Sequence, residues 1–436
     1  MKPTGLLVAV AVLAVLGGLI WWSNKKQASA SKTSTDTTTK LLTIPDEQFQ
    51  EIRIKKLTGE VQDLRRVGGK WQLTQPTQLS ADPDTVGSMV STLSTLNADK
   101  LIEDKAADLQ PYGLNIPTLD ITIVKKDGKS NELLIGDDTP TGSGAYAKLA
   151  GDPRVFTVAS FTKTSLDKTP TDLRDKRLLT FDSDKLTRVE LQAKGQPVEF
   201  GKNNQNEWQI LKPRPLRADG SQVETLVTKL KDAKMDLNGA QLDIAKNFAA
   251  AAKVATVVVA DAGGNQTLEV RRDKDKNCYA KSSAVEGTYK VASDLADALD
   301  KNLDDFRNKK LFDFGFSDPN KVELKTATYA KSGDKWLAGT KAMDNTSVQN
   351  LIDKLRDLAA TKFPEKGGGQ PVFEAKVTSN DGKRVEKVVV TKQGDQYFAQ
   401  RENEPSIYEL DSKAVDDLQK AASDVKEPAP PAPKKK

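Results

Sequence analysis

The chain contains no histidine. That removes the commonest general base and the usual nitrogen ligand of zinc. There is one cysteine, Cys278, so no intrachain disulfide can form. A single cysteine in a strand pattern reads as a small buried hydrophobe. Neither charge sign dominates: 66 basic residues face 61 acidic ones, a net charge of +5. No basic run is interleaved with aromatics, so no nucleic-acid partner is expected. Hydrophobic residues make up 37% and charged residues 29% of 436 positions. That balance suits several small domains with wet outer faces rather than one large core.

Long apolar runs are rare, and the one from Gly5 to Trp22 stands out. Its 18 residues would reach about 27 Å as a helix, near the thickness of a bilayer core. Trp21 and Trp22 would sit at the headgroups, with Lys25 and Lys26 beyond them. The expectation is a signal anchor over residues 1–22 that contacts the lipid bilayer through residues 5–22. A cleaved signal peptide is the rival reading, because Ala28-Ser29-Ala30 fits a small-x-small site. No cysteine follows the run, which excludes a lipoprotein. Lys25 and Lys26 outnumber Lys2 and favour a cytoplasmic body, although a first segment translocates long domains despite such a bias. The expected place is the bacterial inner membrane, single-pass, with a periplasmic body. Residues 23–40 are Ser/Thr/Lys-rich and read as a flexible linker of roughly 21–25 Å span.

The body repeats. Trp71 and Trp208 are 137 positions apart, as are Asp82 and Asp219, and Leu41-Leu42-Thr43 and Leu178-Leu179-Thr180. Trp336 and Asp344 mark a third copy. In each copy an alternating strand and a Trp strand precede a helix pattern. Each Trp is expected to fill the core beside that helix. Asp82, Asp219 and Asp344 read as helix caps, with Pro83 at the first helical position. Ser221 and Glu224 have capping-box spacing. The expected buried faces are Val86, Met89, Val90, Leu93 and Leu96; Val223, Leu226, Val227 and Leu230; and Val348, Leu351, Ile352, Leu355 and Leu358. Hairpins follow, turning at Asp127-Gly128, Gly263-Gly264-Asn265 and Asp381-Gly382. A further strand carries Tyr146-Ala147-Lys148, Tyr279-Ala280-Lys281 or Tyr397-Phe398-Ala399, paired with one carrying Phe156, Tyr289 or Tyr408.

A joint runs Asp172-Leu173-Arg174-Asp175 and again Asp305-Phe306-Arg307-Asn308. The third copy has no such joint after Leu418, as expected if its task is to enter the next copy. The reading is an α+β chain: an N-terminal transmembrane helix, then three tandem repeats of mainly antiparallel sheet with packed helices. The expected domains are 41–177, 178–310 and 311–424, with a disordered Pro/Lys tail at 425–436. Short antiparallel hairpins argue against a doubly wound sheet.

Candidate chemistry is sparse, and no catalytic, cofactor or metal residues are assigned. Gly136 to Gly144 resembles a phosphate loop, but it lacks the closing Gly-Lys-Ser/Thr and precedes a strand. A hairpin loop is expected. The Asp172/Arg174 and Asp305/Arg307 pairs are read as ion pairs or caps at the joint. Gly367-Gly368-Gly369 is expected to be a loose loop.

The anchor, Ile44-Pro45, the strand-Trp-Asp-helix order, Tyr112-Gly113-Leu114, Gly136-Asp137, Tyr146-Ala147-Lys148 and the Asp-Leu-Arg-Asp joint resemble the bacterial family called domain of unknown function 4340. The resemblance spans most of residues 41–424. It implies a membrane-anchored envelope protein, similar to partners of gliding-motility-type transporters. It brings no catalytic residues. The expected function is a non-enzymatic accessory or scaffold protein, its partner a membrane or envelope protein such as ABC-type transporter subunits. The alternatives are an enzyme on cell-wall glycan or peptide, and a glycan-binding module.

Overall fold

The computed structural model describes residues 39–238, 243–315 and 319–429. The expected membrane segment, nearly all of the expected linker and the last seven residues of the tail lie outside these. No helix among the described residues is long and apolar enough to cross a membrane.

The first sheet begins with a meander: β1 (Phe49–Lys56), β2 (Val61–Val67), β3 (Lys70–Gln75) and β4 (Leu79–Ser80). Helix α1 (Pro83–Ser94) leads to β5 (Lys100–Glu103). A second meander follows: β6 (Leu119–Lys125), β7 (Ser130–Asp138), β8 (Gly144–Leu149) and β9 (Val155–Ala159). The strand order is β4-β3-β2-β1-β6-β7-β8-β9-β5. Every neighbouring pair is antiparallel. Helix α1 therefore leaves one edge of the sheet, and the chain re-enters at the other. Short helices α2 (Ser160–Leu166) and α3 (Pro170–Leu173) close the copy.

The second sheet has the same plan. Strands β10 (Arg188–Ala193), β11 (Val198–Lys202), β12 (Trp208–Lys212) and β13 (Leu216–Arg217) precede α4 (Gly220–Lys231). An added helix, α5 (Ile244–Ala250), comes before β14 (Ala252–Asp261), β15 (Gly264–Arg272), β16 (Cys278–Ser282), β17 (Thr288–Val291) and α6 (Ser293–Leu299). The single bridge Asp236↔Lys290 stands where β5 stands in the first copy. In the third copy β18 (Lys321–Leu324), β19 (Thr328–Ser332), β20 (Lys335–Ala338), β21 (Lys341–Met343) and α7 (Asn345–Asp357) lead to β22 (Ala360–Lys362). Then come β23 (Gln370–Ser379), β24 (Arg384–Gln393), β25 (Gln396–Arg401), β26 (Ile407–Leu410) and α8 (Ser412–Ser423). The order β21-β20-β19-β18-β23-β24-β25-β26-β22 repeats that of the first sheet. The fold is α+β with internal repeats.

Register makes the copies comparable position by position. Ile52 faces Ile123, Val189 faces Val259, and Val322 faces Val377, each across the strand pair that joins the two meanders. These six residues are buried. Every side chain expected on the long helices' inner faces is buried as well. Three hydrophobic cores form, spanning Leu41 to Leu173, Leu178 to Phe306 and Leu311 to Leu418. The opposite face of each first meander carries alternating charges: Arg53, Glu51, Asp63 and Arg65, then Arg188, Glu190, Glu199 and Lys212, then Lys321 and Glu323, the last also met by Lys376 of β23. Period-two alternation thus sorts apolar groups to the core face and charges to the other, where Asp63 and Glu199 are buried beneath their basic partners.

The chain divides into two compact units at Lys176 and Arg177. The first contains one sheet and the second contains two.

Trp208 and Trp336 are buried, and half-buried Trp71 packs against its core. A basic residue lies directly across the strand from each: Arg66, Lys202 and Lys331. Arg66 and Lys202 sit over the facing indoles at 5.4 and 4.9 Å, a cation–π arrangement.

The backbone of the joint serves its own copy. The Asp82 backbone N–H donates to the Leu173 carbonyl at 2.8 Å, and Asp219 N–H donates to Phe306 at 2.8 Å. The third copy was expected to lack this element. Instead, Asp344 N–H donates to the Lys426 carbonyl at 2.8 Å. Asp424-Val425-Lys426 takes the joint's place in the third copy. The physical reason is that the segment entering each long helix needs a backbone partner on its outer side.

Candidate functional site

The first copy's Gly136–Gly144 stretch is a hairpin loop, as its lack of a phosphate-loop ending requires. Residues 136–138 still belong to β7, and Gly144 starts β8. Hydroxyls tie the loop together: Thr139 and Thr141 are 3.2 Å apart, Thr141 and Ser143 2.8 Å. Lys163 donates to the Gly136 carbonyl at 3.1 Å and to Asp138 at 2.7 Å. Asp138, Gly142, Ser160, Lys163, Thr164 and Asp167 line a shallow hollow of about 230 Å³.

The motifs Tyr112-Gly113-Leu114 and Gly136-Asp137 are two halves of one contact. Gly113 has φ +64°, and a Cβ there would lie 2.5 Å from the Asp137 carboxyl carbon. Leu114 is buried beneath. Tyr112 packs edge-on against Tyr146 at 5.1 Å and donates its hydroxyl to Glu103 at 2.8 Å. That hydrogen bond pushes the Tyr112 pKa up.

The Tyr146 position recurs, and here the third copy needs a correction. Ala147 pairs with Phe156, Ala280 with Tyr289, and Ala399 with Tyr408. The counterpart of Tyr146 and Tyr279 is therefore Phe398, not Tyr397. A one-residue shift sends every side chain to the other face, and Tyr397 points into the core instead. Each copy covers this aromatic differently. Tyr112 covers Tyr146 in the first. Phe248 of α5 packs with Tyr279 in the second. In the third, Gly367 lies against the Phe398 ring, where an added Cβ would meet it at 2.8 Å. Gly369, at φ +114°, would place a Cβ 2.0 Å from the Lys392 carbonyl oxygen. The expected loose glycine loop is a close backbone approach that only glycine permits.

Asp82, Asp219 and Asp344 cap their helices, accepting from Thr85, Ser221 and Ser347 backbone N–H groups at 2.8, 3.0 and 2.8 Å. The Ser221/Glu224 capping box does not form. Asp219 already occupies the cap, so Glu224 is free to accept from Trp208 Nε1 at 2.5 Å. Asp172 and Asp305 complete capping boxes with Thr169 and Asn302. The acidic member of each joint pair is thus the third helical residue of a capping box. Arg307 pairs with Asp304 at 3.3 Å, not with Asp305. Cys278 is buried in the second core.

Sequence reading missed one constellation, where the second copy meets the third within the second unit. Arg217 of β13 donates to the Lys310 carbonyl at 2.8 Å and to Asp313. Its Nε lies 3.6 Å from Glu404. Burial opposes its charge, yet Asp313, Tyr408 and Glu404 hold its pKa above the ordinary arginine value. Arg401 lies 3.0 Å from Glu386 and 2.9 Å from Glu404, and donates to the Leu311 carbonyl at 2.6 Å. Tyr408 donates to Glu404 at 2.6 Å. Burial, then that hydrogen bond, pushes the Tyr408 pKa up to about 12. Arg307 stacks 3.6 Å above Phe363 and donates to Ser406 at 3.0 Å. Burial lowers its pKa. A hollow of about 440 Å³ opens beside Arg401 and Glu404. Among the described residues, no three His, Cys, Asp or Glu side chains converge as metal ligands.

No curated protein and no solved structure matches the chain. The model of one family, "Domain of unknown function (DUF4340)", matches twice, over residues 71–236 and 208–372. The two matches start at Trp71 and Trp208, the equivalent tryptophans of the first two copies, and the first ends beyond α4. Each match therefore runs through one copy, across the joint and over the long helix of the next. Together they span well over half of the sequence, and the chain belongs to the DUF4340 family.

Proposed function

We propose that this protein is a non-enzymatic accessory or scaffold protein, anchored in the bacterial inner membrane through residues 5–22 with its body in the periplasm. Its partner in this reading is a membrane complex, with ABC-type transporter subunits the first choice. The observation that carries the proposal is how the copies diverge. The sheet plan is constant, while the cover over the Tyr146, Tyr279 and Phe398 position changes to Tyr112, to Phe248 and to Gly367 in turn. A constant frame with different outer connections offers several distinct binding faces on one tether. The anchor's apolar length and the Ser/Thr/Lys linker support the membrane placement.

The test is crosslinking in intact cells, followed by mild-detergent capture of the tagged full chain. Recovery of defined transporter or other membrane-complex subunits is expected. Retention on purified cell-wall material with no specific protein recovered would replace the scaffold with a glycan-directed function. Protease added to spheroplasts is expected to digest the body; complete protection until lysis would place it in the cytoplasm.

A further inference from the structure

We propose that Arg217 is a latch that locks the second and third copies into one rigid element. Position 217 is the outgoing corner of the second copy, directly across the strand from Gln209. The same corner is Ser80 in the first copy, across from Gln72, and Ala342 in the third, across from Leu337. Only the second copy therefore places a long cation there. Its side chain is 18% exposed, although it extends beyond its own sheet.

The face it enters has diverged to match. In the second copy, Gln266 accepts from the Thr180 backbone N–H at 2.8 Å, and Ser282 donates to the Leu178 carbonyl. In the third, Glu386 accepts from the Asp313 backbone N–H at 3.0 Å, and Arg401 donates to the Leu311 carbonyl. The backbone contacts are the same. Thr180, Gln266 and Ser282 are neutral; Asp313, Glu386 and Arg401 are charged. Glu404 adds a third carboxylate within reach of both arginines. Without Arg217, the side chains of Asp313, Glu386 and Glu404 share Arg401 as their cation within this cluster. The second cation of the cluster comes from the neighbouring copy. A buried charge left unpaired is costly, so separation of the copies is opposed. Three further contacts cross the same junction: Arg384 reaches Glu207 at 2.9 Å, and Arg307 reaches Ser406 and Phe363. Matched changes on both sides of one junction are the signature of a specified interface rather than a chance surface pair.

The test uses the full chain with Cys278→Ala and two spin labels, at Lys253→Cys in the second copy and Asp395→Cys in the third. Pulsed electron resonance reads the distance distribution between them. One narrow distribution is expected for the parent. Arg217→Met keeps the stem but removes the charge, and it should widen the distribution at least twofold. The reversed pair Arg217→Asp with Asp313→Arg should restore a narrow one. A distribution as narrow in Arg217→Met as in the parent would overturn the latch. If Arg217→Met does not fold, the reversed pair decides: a narrow distribution supports the latch and a broad one overturns it.

Discussion

The carbonyl oxygen of Tyr112 lies 2.1 Å from where a Cβ on Gly136 would stand. Strand β7 can pass under the Tyr112–Gly113 turn because position 136 has no side chain. Gly136→Ala should therefore destabilise the first unit by about 1–3 kcal/mol through overpacking against backbone. Gly68→Ala is the control, with nothing within 4 Å of an added Cβ and a φ of +57°. It should cost about 1 kcal/mol from its left-handed conformation alone. Urea unfolding of the two variants checks the ranking, and equal midpoints would remove the steric argument.

Trp208 combines burial with a hydrogen bond to Glu224. Trp208→Ala should cost about 3–5 kcal/mol through lost burial and a cavity. Trp208→Phe keeps most of the ring and loses the bond, at about 1 kcal/mol. Calorimetry of the second unit separates the two. An unchanged melting temperature in Trp208→Ala would mean that the indole does no packing work.

The cap of α4 distinguishes two local arrangements. If Asp219 is the cap, Asp219→Ala should cost about 1 kcal/mol and Ser221→Ala only a few tenths. The opposite ranking in thermal melts would restore the capping box of Ser221 and Glu224.

Tyr408 provides an alkaline signature. Its folded pKa, about 12, lies above the ordinary tyrosine value because the ring is buried and donates to Glu404. A raised folded pKa means that the protonated form is favoured by folding. Its contribution is complete below about pH 10, the unfolded value, and is lost as pH rises through the folded one. The urea midpoint of the second unit should fall between these limits, and Tyr408→Phe should flatten the fall. Parallel curves for the two proteins would contradict the assignment.

Much of the fold was legible because its signals are local and periodic. The apolar faces of α1, α4 and α7, the Asp caps and the Asp-Gly turns follow from spacing along the chain. The third copy's aromatic register was not legible. Tyr397-Phe398-Ala399 matches Tyr146-Ala147-Lys148 by its tyrosine, while the pairing of Ala399 with Tyr408 sets the true position. Glu224 was misassigned for a related reason: spacing shows what it could reach along the helix, but Trp208 reaches it from another strand.

The sequence by itself determined a repeated α+β plan, the long helix and central hairpin of each copy, and which of their faces are apolar. Local periodicity encodes these, and each copy repeats it. Tertiary structure alone decided that Gly136 and Gly367 are contact points, that Asp424-Val425-Lys426 closes the third copy, and that Arg217 meets Asp313, 96 positions away. Such pairings depend on where strands lie in three dimensions. A charge or a glycine carries no mark in the sequence of the distant group it will meet.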